Sequence, residues 1–207
     1  MSAHRSKPRK RTIRAARTEG AAQAIGTIEP GIELLVLTHG QFSLIDAIVY
    51  ITTQIGPADL SVSTWTAGNE DLQQMAGLLA AGQFHGVRWL VDRSFVTRQP
   101  AYCARLRELF GDDVIRTTRS HAKFITLRNE GFSLAIRTSM NLNHNPRMEI
   151  IEISDDPALA DFLDAEFDRY FVEQDPGTLD AELRESPPAR AIRTGRASGN
   201  RLFPGPR

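Results

Sequence analysis

The sequence predicts an α/β domain with a largely parallel sheet, and three observations carry that prediction. Apolar runs of strand length alternate with amphipathic stretches of helix length between residues 32 and 173. Glycine and proline punctuate the alternation, at Gly56-Pro57, Gly82, Pro100 and Gly111. At 207 residues the chain suits one domain with tails and is long enough to bury a core.

The elements follow in order. Residues 32–37 are a short apolar run, a buried strand ending at Thr38-His39-Gly40. Ser43 caps a helix over 44–54, with Leu44, Ile45, Ile48 and Ile55 near helical spacing, and Gly56-Pro57 stops it. Residues 59–65 alternate apolar and polar, as a strand does. Asn69 is the expected N-cap of a helix through Leu72, Met75, Leu78 and Leu79, ended near Gly82. Residues 87–91 form the next strand, and Pro100 opens a helix through Leu106 and Leu109. The rhythm then changes. Residues 114–127 and 132–136 are strand-like on either side of Asn129-Glu130-Gly131, which predicts a hairpin. Residues 148–153 make a further strand. Pro157 starts a helix to about Glu173, with Leu159, Phe162, Leu163, Phe167 and Tyr170 as its apolar stripe. Trp65 and Trp89 read as core residues, and Cys103 as a buried, inert thiol.

A formal net charge of zero hides a division. Twelve of the 25 basic residues lie in 1–18 and 187–207, which hold no acid, so the body carries 13 basic residues against 25 acidic ones. Composition therefore predicts a disordered basic tail over 1–28, a folded domain over 29–174 and a flexible Pro/Gly/Arg-rich tail over 175–207. Such tails contact nucleic acid or an anionic surface, or fold back on the acidic body; the charge pattern leaves these open. A single cysteine excludes an internal disulfide and a cysteine-rich metal site. No apolar run approaches the ~18–20 residues of a membrane span, and no apolar segment follows the basic N-terminus as in a secretory signal. The expected location is cytoplasmic.

Lys123 is the only lysine outside the first ten residues of a chain with 22 arginines. Where arginine is so preferred, a lone lysine marks a place that wants a compact point charge. It lies two positions after His121, so on a strand an imidazole and an ammonium would project from one face. Downstream, Ser139, Asn141 and Asn143 share one parity, and Arg147 and Glu149 follow. One carboxylate near one histidine is too small a ligand set for zinc or for a two-metal hydrolase, and no cofactor is expected.

His121-x-Lys123, then Thr138-Ser139-x-Asn141-x-Asn143, then Arg147-x-Glu149, resembles the phospholipase D superfamily, in particular its small single-motif bacterial endonucleases. The pattern differs in two places: the family aspartate falls at Arg128 and the glycine before serine at Thr138. The resemblance implies an α/β/α sandwich with a mixed sheet and a metal-independent phosphodiesterase. His121 would attack phosphorus and form a phosphohistidine. Lys123 and Asn141 would hold the nonbridging oxygens, Ser139 would bond phosphate or orient the site, and Glu149 would orient an imidazole. A general acid must protonate the leaving oxygen. With one His-x-Lys per chain, the resemblance implies a homodimer whose second His121 is that acid. Asn143, Arg119 and His39 are the expected substrate-binding residues, His39 because it ends a strand at the edge where such sheets place ligands. Arg116 and Arg137 are further candidates for flanking phosphates. Nucleic acid is the expected partner, through the cleft and the basic tails. The differences at Arg128 and Thr138 keep a second class of function open, a weak or inactive module that binds nucleic acid or a protein.

Overall fold

A computed structural model describes residues 9–177, and within them the apolar runs become eight strands and six helices. In chain order these are β1 (Thr12–Ala15), α1 (Ala21–Ile25), β2 (Glu33–Thr38), α2 (Leu44–Ile55), β3 (Ala58–Thr64), α3 (Asn69–Ala80), β4 (Phe84–Asp92), α4 (Phe95–Arg98), α5 (Pro100–Phe110), β5 (Ile115–Thr118), β6 (Phe124–Arg128), β7 (Ser133–Thr138), β8 (Glu149–Asp155) and α6 (Pro157–Glu173). No helix among these residues is long and apolar enough to cross a membrane.

The strands form one mixed sheet in the order β1-β2-β8-β7-β6-β3-β4-β5. Its parallel pairs lie at the flanks: β1 with β2, β3 with β4, and β4 with β5. The centre is antiparallel, from β2 through β8, β7 and β6 to β3. The sheet is thus mixed as predicted, but not largely parallel. Connection length explains the difference. Helices α3 and α5 carry the chain across to parallel neighbours, whereas β6 and β7 meet through a tight turn that only antiparallel strands can use. Asn129 builds that turn. Its Oδ1 accepts from the N–H groups of Gly131 (3.0 Å) and Phe132 (2.9 Å), while its Nδ2 donates to the Ile55 carbonyl at 2.8 Å.

Both faces are covered. Val36, Val62, Trp89, Ile125, Ile136 and Ile151 pack into the main core with α2, α3 and α5. Side chains of the opposite parity meet α6, where Arg88 and Thr126 bond Asp164 and Phe124 packs edge-on against Phe167. The architecture is an α/β/α sandwich. Cys103 is buried on α5, as expected.

Local chemistry sets the helix ends. Ser43 and Asp46 close a capping box on α2, and Asp156 accepts from the N–H groups of Ala158 and Leu159 to open α6. Asn69 does not cap α3. Gly68 occupies that place without a side-chain bond, and Asn69 is already helical. The strand expected over 114–127 is broken: β5 ends at Thr118 and β6 begins at Phe124. α4, four residues long, has no periodicity a sequence could show.

The N-terminal segment departs from its predicted disorder from residue 9 onward. β1 adds to the sheet edge beside β2, Ala16 is buried, and α1 packs Ala24 and Ile25 into the core. Composition misses this because the basic residues find partners in the acidic body. Arg11 pairs with Glu33 at 2.9 Å, Arg9 donates to the Asp155 carbonyl, and Arg14 donates to the carbonyls of Ala24 and Ile25. The flexible tail expected after 174 lies, from 178 on, outside the described residues.

Candidate active site

One end of the sheet collects the residues singled out above. Because the central pairs are antiparallel, β6 and β8 begin where β3, β7 and β2 end. Ser63 pairs with Phe124, Thr138 with Ile151, and Thr38 with Glu149. Segments before β6, after β7 and before β8 therefore share one edge, although 28 residues separate His121 from Glu149 in the chain.

His121 and Lys123 lie in the crossing that leads into β6, not within a strand. The crossing is tied down at several points. The Ser120 N–H donates to Asp92 Oδ2 (3.1 Å), Ser63 Oγ donates to the Ala122 carbonyl (3.2 Å), and the Thr138 N–H donates to the Lys123 carbonyl (3.1 Å). The expected common face is realised. Lys123 Nζ lies 3.0 Å from His121 Nδ1 and 3.3 Å from Nε2. Lys123 is buried while His121 is exposed. Burial lowers the lysine pKa from its ordinary value, and the Glu149 carboxylate opposes that shift.

Beyond β7 the ladder stops at Thr138, yet the alternation persists. Met140 and Leu142 are buried, whereas Ser139 is exposed and Asn141 and Asn143 are half-buried. Backbone bonds hold this extension, from the Ser139 N–H to the Ile150 carbonyl (3.1 Å) and from the Gly68 N–H to the Leu142 carbonyl (2.7 Å). Ser139 Oγ donates to Glu149 and accepts from the Ile150 N–H at 3.0 Å. Glu149 thus meets a hydroxyl within its own chain, where an imidazole was expected. Oδ1 of Asn141 and Oδ1 of Asn143 are buried without a hydrogen-bond partner among the described residues. Buried unsatisfied oxygens cost about 1–3 kcal/mol each, a cost that a donor bound there would relieve.

The two departures from the family pattern are structural. Arg128 is at the far end of β6, about 13 Å along the strand from Phe124. There its Nε meets Asp164 at 2.6 Å and its Nη2 bonds Asp161. Thr138 Oγ1 donates to the Ile150 carbonyl (2.7 Å) and accepts from the Met140 N–H (3.0 Å), so it ties the end of β7 to β8. His39 is exposed after β2, and Arg119 is exposed after β5. Gly40 (φ 87°) faces Pro146 so closely that a Cβ there would come within 2.5 Å of its Cα. Arg116 and Arg137 leave the list of phosphate contacts. Arg116 is buried over the Phe171 ring and donates to the Asp113 carbonyl (2.9 Å), while Arg137 pairs with Glu152 at 2.8 Å.

Sequence reasoning missed two neighbours of the site. Trp65, expected in the core, is half-buried just past β3, with its ring 5.2 Å from that of His121. A cavity of about 650 Å³ opens beside Asn143, lined also by Gly68, Asp71, Tyr102, Arg105 and His144. Burial raises the Asp71 pKa to about 6, with Asp46 and Glu70 adding to the rise and His144 opposing it. Neither feature has a local signal, since each joins segments far apart in the chain.

No family model matches the chain, and no curated protein matches it. Among solved structures it is similar to Nuc, a phospholipase D family member from Salmonella typhimurium. The match covers 63% of this chain and 90% of the other, at 16% identity and a TM-score of 0.45. It is also similar to NucT from Helicobacter pylori, over 67% of this chain and 95% of the other, at 12% identity and a TM-score of 0.49.

Proposed function

We propose that the protein is a metal-independent phosphodiesterase that cleaves nucleic acid through a phosphohistidine intermediate. The observation that carries this reading is the ammonium of buried Lys123 3.0 Å from the imidazole of exposed His121, at the strand ends that also bear Ser139, Asn141 and Glu149. A ring nitrogen of His121 attacks phosphorus as the bond to the leaving oxygen breaks. Lys123 holds a nonbridging oxygen, and Asn141 contributes an amide donor there. Water then attacks the phosphohistidine, releases a phosphomonoester and returns the imidazole.

The leaving oxygen needs a proton. Each chain carries one His-x-Lys pair, which favours a homodimer in which the second copy's His121 supplies it. His39 and Arg119, exposed at the same sheet end, favour a polyanionic substrate.

Wild type and His121→Ala are incubated in EDTA with bis-p-nitrophenyl phosphate and with single- and double-stranded DNA. Cleavage by wild type alone is expected. A folded dimer that cleaves none of these would move the assignment to a binding module.

A further inference from the structure

Trp65 is unlike the other tryptophan. Trp89 is fully buried, whereas Trp65 leaves the sheet one residue past β3 and stays half-buried. Its indole meets the His121 ring at 5.2 Å and 57°, within the range of favourable tilted aromatic pairs. On the indole also rests Arg98, with the guanidinium carbon 3.5 Å from the ring centroid and Nη2 donating to the Trp65 carbonyl at 2.8 Å.

Arg98 is itself held. Its Nε donates to Ser94 Oγ at 2.8 Å. The Ser94 N–H donates to Asp92 Oδ1 at 2.9 Å, and its hydroxyl bonds the same oxygen. The other oxygen, Asp92 Oδ2, accepts from the N–H of Ser120, the residue before His121. One carboxylate therefore anchors both ends of a closed circuit, running from Asp92 through Ser94, Arg98 and Trp65 to His121 and back through Ser120. The short helix α4 is the part of the circuit that carries Arg98 onto the indole.

We infer that Trp65, pinned by Arg98, is a positioning residue that fixes the plane of the His121 ring for attack. Lys123 Nζ lies within 3.3 Å of both ring nitrogens and so touches the imidazole from one side. An exposed ring touched on one side still rotates, and the indole contact removes that freedom. Small misplacements of a reacting group cost rate far more than they cost binding. The catalytic arm of this inference rests on the phosphodiesterase reading, whereas the geometric arm stands without it.

The test uses the full chain and two readouts. The ring-proton NMR signals of His121, identified by their loss in His121→Asn, are expected outside the range of the other four histidines, displaced by the indole ring current. Trp65→Leu returns them to that range, Trp65→Phe restores part of the displacement, and Arg98→Met moves them partway back. With bis-p-nitrophenyl phosphate, Trp65→Leu lowers kcat about 10- to 100-fold with KM within about twofold, and Trp65→Phe recovers most of the loss. Signals that sit in the ordinary range and ignore Trp65→Leu overturn the inference, as does an unchanged kcat in a folded Trp65→Leu. If Trp65→Leu does not fold, Arg98→Met decides by the same two readouts. An inactive wild type whose His121 signals still follow Trp65 sinks the phosphodiesterase reading and leaves the positioning role standing.

Discussion

Lys123 Nζ lies 3.0 Å from His121 Nδ1, with the lysine buried and the histidine exposed. That burial has a thermodynamic consequence. Burial lowers the lysine pKa, so the folded chain binds fewer protons than the unfolded one just below the ordinary value of 10.5. Stability from this group rises with pH across that window and is lowest where the ammonium is fully charged. Lys123→Met is therefore expected to raise the melting temperature at pH 7, by an amount that shrinks as pH approaches 10.5. The same variant should lose about 10²–10³-fold in kcat on bis-p-nitrophenyl phosphate. A lower melting temperature at pH 7 would show that the ammonium stabilises the fold instead.

Asp71 should show the opposite pH dependence. Its pKa is raised to about 6, first by burial and then by Asp46 and Glu70. The folded chain then holds a proton that the unfolded chain releases near 3.8, so stability falls as pH rises through that interval. Asp71→Asn is expected to stabilise by about 2–3 kcal/mol at pH 7 and to be neutral near pH 3. Urea titrations at the two pH values measure it, and an equal effect at both would refute the raised pKa.

Arg128 stands where the resemblance places an aspartate, yet its work is at the other end of the strand. Asp164 accepts from Thr126 Oγ1 at 2.6 Å and pairs with Arg128 at 2.6 Å and Arg88 at 3.2 Å. Asp164→Ala removes the one group that all three share and should cost about 1–3 kcal/mol. Arg128→Ala keeps the other two contacts and should cost about 1 kcal/mol or less. Neither should change kcat more than about twofold. A large drop in kcat for Arg128→Ala, with stability intact, would mean that the position matters to catalysis.

Much of this was legible in the chain. The main helices and strands appear close to their predicted bounds because apolar periodicity and Gly/Pro punctuation are local signals. The His121–Lys123 contact was legible for the same reason, since two residues at i and i+2 meet whenever the backbone is extended. What could not be read was relational. The Ser139–Glu149 bond, the Asp164 cluster and the Trp65–His121 contact all join separate segments, and no spacing encodes them. The order of N-terminal residues 12–25 was hidden by composition, which counts charges without showing that Glu33 and the Asp155 carbonyl await the arginines.

Among the described strands β8 is the last to leave the ribosome, yet it fills an interior slot between β2 and β7. Until residues 149–155 emerge, two strands that will flank it have open edges, and Ser139 lacks the carboxylate it bonds. Closing the sheet and completing this cluster are thus one event. A nascent or truncated chain lacking this strand holds His121, Lys123, Ser139 and Asn141 without Glu149, so the cluster is complete only once β8 is in place.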